Sequence, residues 1–431
     1  MNSDLSHLEN EIVKCIRCGA CQSACPVFRE TGNESSVARG KVRLLRSALQ
    51  GETPLNPELS ERMSLCLMCK ACTPVCPSGV KTDRLVAGAR SAAVAHLGLS
   101  WRKRLVFRLG LKHRGIFRWG LKMGSLGRTL LFRPHPSGHG VLPRLPLGIG
   151  RRRLLQPLAP HSFADVWRKS KGFKTVPAPK TADARVALFT GCMVNYMYVD
   201  TGKAVVRVLR RNGVEVIYPE DQHCCGTPVR VNGDLETAVM MAKHNLDVLY
   251  RLDADFIVTP CASCGLALKQ DYPELLKNTP EYAAKAEAVS GKTRDFAEYI
   301  ITLPHWQQGL NPLAGVITYH DPCHLARGQG IRQEPRSLLQ GIPGVSLVEL
   351  SPIEQCCGSA GSFSLSHPDL SRRIGDRRID SVEQSGAAAV VSGCSACLMQ
   401  LRDGITRRSL KVETLHIAEL LDRSYGTAAE Q

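Results

Sequence analysis

Between Arg84 and Ala164 the chain has no Asp or Glu, although Lys and Arg occur 16 times there. Nearly all of the net charge of +17 therefore sits in one stretch, and no acidic neighbour within it can neutralise that charge. No run approaches the ~18–20 apolar residues of a membrane span, so a crossing helix is not expected. Met1 to Lys14 carries Asp4, Glu9 and Glu11 and has no apolar centre, so a signal peptide is not expected either. There is no dinucleotide fingerprint, no Walker motif and no Gly-x-Ser-x-Gly. The sequence thus offers no recognisable site for a nucleotide, a flavin or a serine nucleophile.

Cysteine is what the chain has in excess. There are 18 in 431 residues, a length that suggests two or three domains. They fall in blocks of eight, five and five, with none left over. Without an export signal, disulfides are not the expected use, and grouped thiols read as metal ligands or redox groups.

The first block is written twice. Cys15-x2-Cys18-x2-Cys21-x3-Cys25-Pro26 recurs as Cys66-x2-Cys69-x2-Cys72-x3-Cys76-Pro77. This is the run used by ferredoxins with two 4Fe–4S clusters, in which the fourth cysteine of each run ligates the other cluster. The spacing assigns Cys15, Cys18, Cys21 and Cys76 to one cluster, and Cys66, Cys69, Cys72 and Cys25 to the other. Zinc sites usually pair two C-x-x-C units without a third cysteine in the run.

The later blocks are a duplication. Cys192 to Cys323 is 131 residues, Cys224 to Cys356 is 132 and Cys261 to Cys394 is 133. One copy holds Cys192, Cys224, Cys225, Cys261 and Cys264; the other holds Cys323, Cys356, Cys357, Cys394 and Cys397. In each, apolar runs (Val186–Phe189, Val214–Ile217, Phe256–Val258; Val316–Tyr319, Val345–Leu350, Ala389–Val391) alternate with helical stretches. That pattern predicts an α/β unit with a mostly parallel sheet and cysteines where strands end. The expected fold class is α/β: a helical dicluster ferredoxin-like domain (1–97), a basic linker (98–183), and two Cys-Cys-Gly modules (184–312 and 313–425). Five thiols exceed zinc's usual four and suit a larger assembly, but zinc or unmetallated thiols stay open from spacing alone.

The Cys-Cys-Gly modules resemble those of heterodisulfide reductase catalytic subunits, where five such cysteines hold a noncubane 4Fe–4S cluster. The order of motifs, with Cys-Cys-Gly-Ser-Ala-Gly at 356–361 and His367-Pro368-Asp369-Leu370 after it, resembles the iron–sulfur subunits of bacterial glycolate oxidase and lactate dehydrogenase. The resemblance implies an electron-transfer subunit of an oxidoreductase complex. It implies an FAD-containing hydroxy-acid dehydrogenase partner that oxidises glycolate or lactate, and a quinone or other carrier as acceptor. The alternative it implies is a heterodisulfide-reductase-like catalyst that acts on a disulfide or small molecule at a module.

His223, His320 and His324 sit beside module cysteines, where an imidazole can tune a cluster or simply pack. Gly358 to Ser362 can cradle an anion or let the backbone approach a metal. In the basic stretch, Trp101 to Leu109 and Phe117 to Trp119 interleave Arg and Lys with aromatic and aliphatic residues. This suits an anionic membrane surface or an acidic partner, against a plain helical linker. No nucleic-acid signature accompanies it. The expected location is cytoplasmic, peripheral at the inner face of the cell membrane.

Overall fold

A computed structural model describes residues 5–136, 140–144, 153–171, 173 and 184–426. The Pro177-Ala178-Pro179 linker signal lies outside the described residues.

The N-terminal region is built from short helices. In Ala38–Leu49, Ala38, Val42 and Leu45 recur at helical spacing and are buried. The helix Pro57–Ser64 begins with proline at its first position, and the Asn56 side chain accepts from the Leu59 N–H at 2.9 Å. These helices and Thr82–Leu97 enclose a core of Ile12, Leu59, Met63, Leu85 and Val86. Two basic side chains are spent on backbone rather than on solvent. Lys41, 1% exposed, donates to the carbonyls of Ser35 and Arg62, and burial lowers its pKa to about 8. Arg90 donates to Met63, Ser64 and Cys66 carbonyls and, across a domain contact, to that of Val231 at 2.7 Å.

The basic stretch forms helical turns at Trp101–Arg104, Leu105–Leu111 and Arg114–Leu126, then a small antiparallel pair, β1 (Phe132–Pro134) with β2 (Val141–Pro143). One side docks: Phe107 and Leu111 are buried with Leu99, Val229 and Met241 beside Cys224. The other side exposes Trp101, Leu105, Val106, Leu109, Trp119 and Met123. No acid within the stretch neutralises its charge, but folding supplies some from elsewhere. Arg108 pairs with Asp234 at 3.3 Å, Lys112 with Glu236 at 3.6 Å and Arg118 with Asp165 at 2.8 Å. These acids lie outside the acid-free stretch and are brought to it by folding.

Each module contains a four-stranded parallel sheet among the described residues. In the first, β3 (Ala184–Leu188), β4 (Val214–Ile217), β5 (Phe256–Thr259) and β6 (Thr293–Asp295) lie in the order β4-β3-β5-β6. In the second, β7 (Gly315–Tyr319), β8 (Val345–Glu349), β9 (Ala389–Ser392) and β10 (Glu413–His416) lie in the equivalent order β8-β7-β9-β10. The last strand of each sheet carries no apolar run that periodicity could reveal. The modules share one core, in which Val205, Val208 and Leu209 meet Leu415, Leu420 and Leu421. Arg207 forks onto the Asp422 carboxylate across that contact, with Nε 3.0 Å from both oxygens.

Candidate metal centres

All ten module cysteines sit beyond the C-terminal ends of parallel strands, in the connecting loop or in the first turn of the helix that follows. Cys192 follows β3, Cys224 and Cys225 follow β4, and Cys261 follows β5 as N-cap of Ala262–Leu266. Cys323, the Cys356–Cys357 pair and Cys394 take the same places after β7, β8 and β9. The adjacent cysteines are followed by a glycine in the left-handed region, at φ +82° for Gly358, which turns the chain sharply after the pair. A Cβ there would lie 2.5 Å from the Ser371 carbonyl oxygen.

The thiols form two continuous chains of side-chain contacts. In the first module the chain runs Cys192, Cys224, Cys225, Cys264, Cys261. In the second it runs Cys323, Cys356, Cys357, Cys397, Cys394. Two further contacts join the groups: Cys261 meets Cys394 between modules, and Cys69 meets Cys356 between the ferredoxin-like region and the second module. Contact with Cys225 and Cys261, with burial, pushes the Cys264 thiol up; Cys357 and Cys394 do the same to Cys397. Cys225, Cys357 and Cys394 are held down instead, by the hydrogen bonds they accept from neighbouring thiols, and five soft sulfur donors packed this closely fit a soft, thiophilic metal group.

The two N-terminal runs are folded alike. Left-handed residues fall two and four positions after the first cysteine of each run: Arg17 and Gly19 after Cys15, Met68 and Lys70 after Cys66. Three of these four are not glycine, so the turns are held against a conformational cost. Backbone N–H groups point at sulfur, from Phe28 to Cys25, Met68 to Cys66 and Val80 to Cys76, each at 3.4 Å. A small cavity is lined by Cys15, Cys18, Cys21, Cys72 and Cys76. Cys25 lies instead beside Cys66 and Cys69, and burial pushes its thiol to about 12. Cys76 thus lies near the first run and Cys25 near the second, and both groups of thiols are donor sets of the kind iron–sulfur clusters use. The first group faces outward, with Cys18 exposed; the second faces the modules, with Cys69 8% exposed.

The three histidines have diverged in use. The His223 Nδ1 accepts from the Cys224 N–H at 2.7 Å. His324 Nδ1 lies 3.0 Å from the Ser263 hydroxyl, tying the modules together. A His320 ring nitrogen and the sulfurs of Cys357 and Cys397 lie within 4.8 Å of one another, and burial pushes this imidazole down to about 3, leaving it neutral. Ser359 to Ser362 line a cavity of about 370 Å³ shared by cysteines of both modules, Cys66, His324 and His367. Sequence reasoning missed Arg327 and Arg378. Arg327 donates to the Cys69 carbonyl at 2.8 Å and reaches Cys323 and Cys356. Arg378, with no exposed surface, donates to the Gln355 and Ile353 carbonyls at 2.7 Å. Arg327 caps the short helix Cys323–Ala326 and Arg378 lies on the Arg-rich helix Pro368–Gln384, and at neither place does the sequence alone give a sign of burial.

Comparison with known proteins defines the class first. Residues 11–80 match the family "4Fe-4S dicluster domain", and residues 186–269 and 317–402 each match "Cysteine-rich domain". The chain is therefore an iron–sulfur protein that joins a ferredoxin-type dicluster unit to two cysteine-rich modules. It is 31% identical over 426 residues to the "Probable glycolate oxidase iron-sulfur subunit" of Bacillus subtilis, covering 97% of this chain and 95% of that one. It is 35% identical over 238 residues to "Lactate utilization protein A" of Bacillus cytotoxicus, covering 55% of this chain and 98% of that one. A solved structure of a hypothetical protein from Helicobacter pylori shares the fold, at TM-score 0.54 and 11% identity, over 98% of this chain and 76% of that one. The chain belongs to the glycolate oxidase iron–sulfur subunit family, a group of oxidoreductase subunits. No helix among the described residues is long and apolar enough to cross a membrane.

Proposed function

We propose that this chain is the electron relay of a glycolate or lactate dehydrogenase complex. It takes electrons one at a time from an FAD-containing partner subunit and passes them toward a quinone or another carrier. The contact of Cys69 with Cys356 carries this reading, because it supports a continuous line of thiol sites from the exposed Cys18 loop to the modules. In this reading Cys15, Cys18, Cys21 and Cys76 hold one 4Fe–4S cluster, and Cys66, Cys69, Cys72 and Cys25 a second. Each set of five module cysteines holds a further iron–sulfur group, and the absence of any flavin motif leaves oxidation of the hydroxy acid to the partner. The exposed apolar and basic face from Trp101 to Met123 holds the complex at an anionic membrane surface on the cytoplasmic side. The test is anaerobic reconstitution. The chain alone is expected to leave glycolate and lactate untouched, and to speed reduction of a quinone analogue when its flavoprotein is added. Hydroxy-acid turnover by the flavin-free chain would refute the division of labour.

A second reading draws on the 370 Å³ cavity between the modules, which is large enough for a small molecule beside the cysteines. There the modules would reduce a disulfide directly. Oxidation of the reduced chain by low-molecular-weight disulfides, faster than by quinone analogues, would favour it.

A further inference from the structure

The modules repeat in sequence and in sheet order, but their surroundings do not repeat. The 131-residue offset places His320 where the first module has Phe189. The 133-residue offset places Arg378 where the first module has Asn245; the helix neighbours of Gly226 and Gly358 obey the same offset, Ala238 with Ser371 and Met241 with Ile374.

In the first module that position is neutral and satisfied. The Asn245 amide donates to the Cys224 carbonyl at 3.0 Å and to the Tyr272 hydroxyl at 2.8 Å, and its oxygen accepts from the His223 N–H at 2.7 Å. Phe189 packs there as hydrocarbon. In the second module neither ring nitrogen of His320 has a hydrogen-bond partner among the described residues, nor has Nη1 of Arg378. Both side chains are at most 1% exposed. His320 lies against Cys357 and Cys397, and the Arg378 guanidinium is within electrostatic reach of Cys357 and Cys356. The nearby Asp321 carboxylate is already held from both oxygens by Arg336, at 2.9 and 2.7 Å. Orphaned polar atoms of this kind are costly in a protein interior, and here they converge on one module: a ring nitrogen of His320 lies beside the Cys357 and Cys397 sulfurs, and the Arg378 guanidinium is within electrostatic reach of the Cys356–Cys357 pair.

We propose that His320 and Arg378 are positioning residues that direct an N–H and a positive charge at the sulfur atoms of the second module's metal group, so that the two modules differ in potential. This rests on the reading above that both modules hold iron–sulfur groups. Reduction adds one electron and leaves the group more negative. Hydrogen bonds to sulfur and a nearby buried cation favour the reduced state and raise the potential. The second module is then the site that takes electrons first, and it is also the one touching Cys69. The first module, lined by Phe189 and Asn245, is the lower-potential site and fills only when the second is already reduced.

The experiment is a redox titration of the anaerobically purified full chain, followed by electron paramagnetic resonance. Signals are assigned by Cys225→Ser and Cys357→Ser, each of which removes one module's signal. In H320F, which copies the first module, and in R378Q, the second module's midpoint is expected to move down toward the first, with the ferredoxin-type signals unmoved. R378K is expected to keep most of the original value. If R378Q fails to load iron, H320F alone decides, because phenylalanine is already tolerated at the equivalent place. Unchanged midpoints in H320F, or equal shifts in both modules, would overturn the proposal. Nitrogen hyperfine coupling strong enough for a direct ligand would overturn its donor form. Zinc in place of module iron would bring down the cluster reading itself, and metal analysis of the same sample separates that outcome from the others.

Discussion

Gly226 and Gly358 occupy the same step of the repeated motif, but they bear different loads. Both have φ near +80°. A methyl group on Gly226 would meet nothing nearer than 3.7 Å, whereas on Gly358 it would meet the Ser371 oxygen at 2.5 Å and the Gly375 nitrogen at 3.1 Å. Gly226→Ala should therefore cost about 1–2 kcal/mol, the ordinary penalty of the left-handed region. Gly358→Ala should cost more and lose metal from the second module first, which thermal unfolding together with iron analysis will read. The sequence makes the need for a sharp turn legible at both sites. It hides the difference, because crowding comes from a helix thirteen or more residues further on. A second consequence at this scale concerns the exposed Cys18 loop. Ile16 beside it is 67% exposed, an apolar side chain in the water next to a redox site. Ile16→Glu should slow electron transfer from the flavoprotein at unchanged iron content, measured by stopped-flow absorbance.

At the scale of elements, the basic stretch behaves as one surface with two jobs. Phe107 and Leu111 fasten it to the first module, and Arg108 reinforces the attachment through Asp234, whose carboxylate is 1% exposed and also caps the helix Leu235–Tyr250. Removing Arg108 leaves that carboxylate short of its charge partner, so Arg108→Gln should destabilise the chain by about 1–3 kcal/mol. It is thus a poor probe of surface attraction. The residues that test the membrane reading are Trp101, Leu105 and Trp119, which are 69, 52 and 66% exposed, together with Arg102, which lies over the Trp101 ring. Replacing the three apolar residues by Ser should abolish most binding to anionic vesicles in a sedimentation assay, and salt should weaken what remains. Equal binding by wild type and variant would remove the membrane role. Composition and interleaving made the stretch visible in the sequence. Which residues face outward depends on where the first module lies, and no local pattern encodes that. The strands divide in the same way: β3, β5, β7 and β9 announce themselves as apolar runs, while β6 and β10 are recruited at sheet edges by the strands before them.

At the scale of the whole molecule, the proposed relay depends on how the N-terminal unit is held against the modules. The sequence supplies every thiol but not their order in space, because the contact of Cys69 with Cys356 joins residues 287 positions apart. Two arginines fix that order. Arg90 binds the Cys66 carbonyl at 2.7 Å and the Val231 carbonyl at 2.7 Å, clamping the second cysteine run to the first module. Arg327 binds the Cys69 carbonyl at 2.8 Å and the Glu354 carbonyl at 2.5 Å, clamping the same run to the second module. Its side chain is 6% exposed and its charge is answered by Glu354 at 3.6 Å, so it stiffens the junction without leaving an unpaired ion. Arg327→Gln keeps a donor but removes the fork that joins the two carbonyls, while Glu354 keeps its ion pair with Arg332 at 2.7 Å. The expected cost is about 1–3 kcal/mol from the carbonyls left without their donor, concentrated at this junction because the helices and sheets on either side keep their own cores. In rapid reduction by a flavoprotein or by a strong chemical donor, the variant should fill its ferredoxin-type sites at the normal rate and its modules more slowly. Iron content should be normal, and the lag between the two phases is the measured quantity. A variant with the same stability loss but an unchanged lag would place the route to the modules elsewhere than through the Cys69–Cys356 contact.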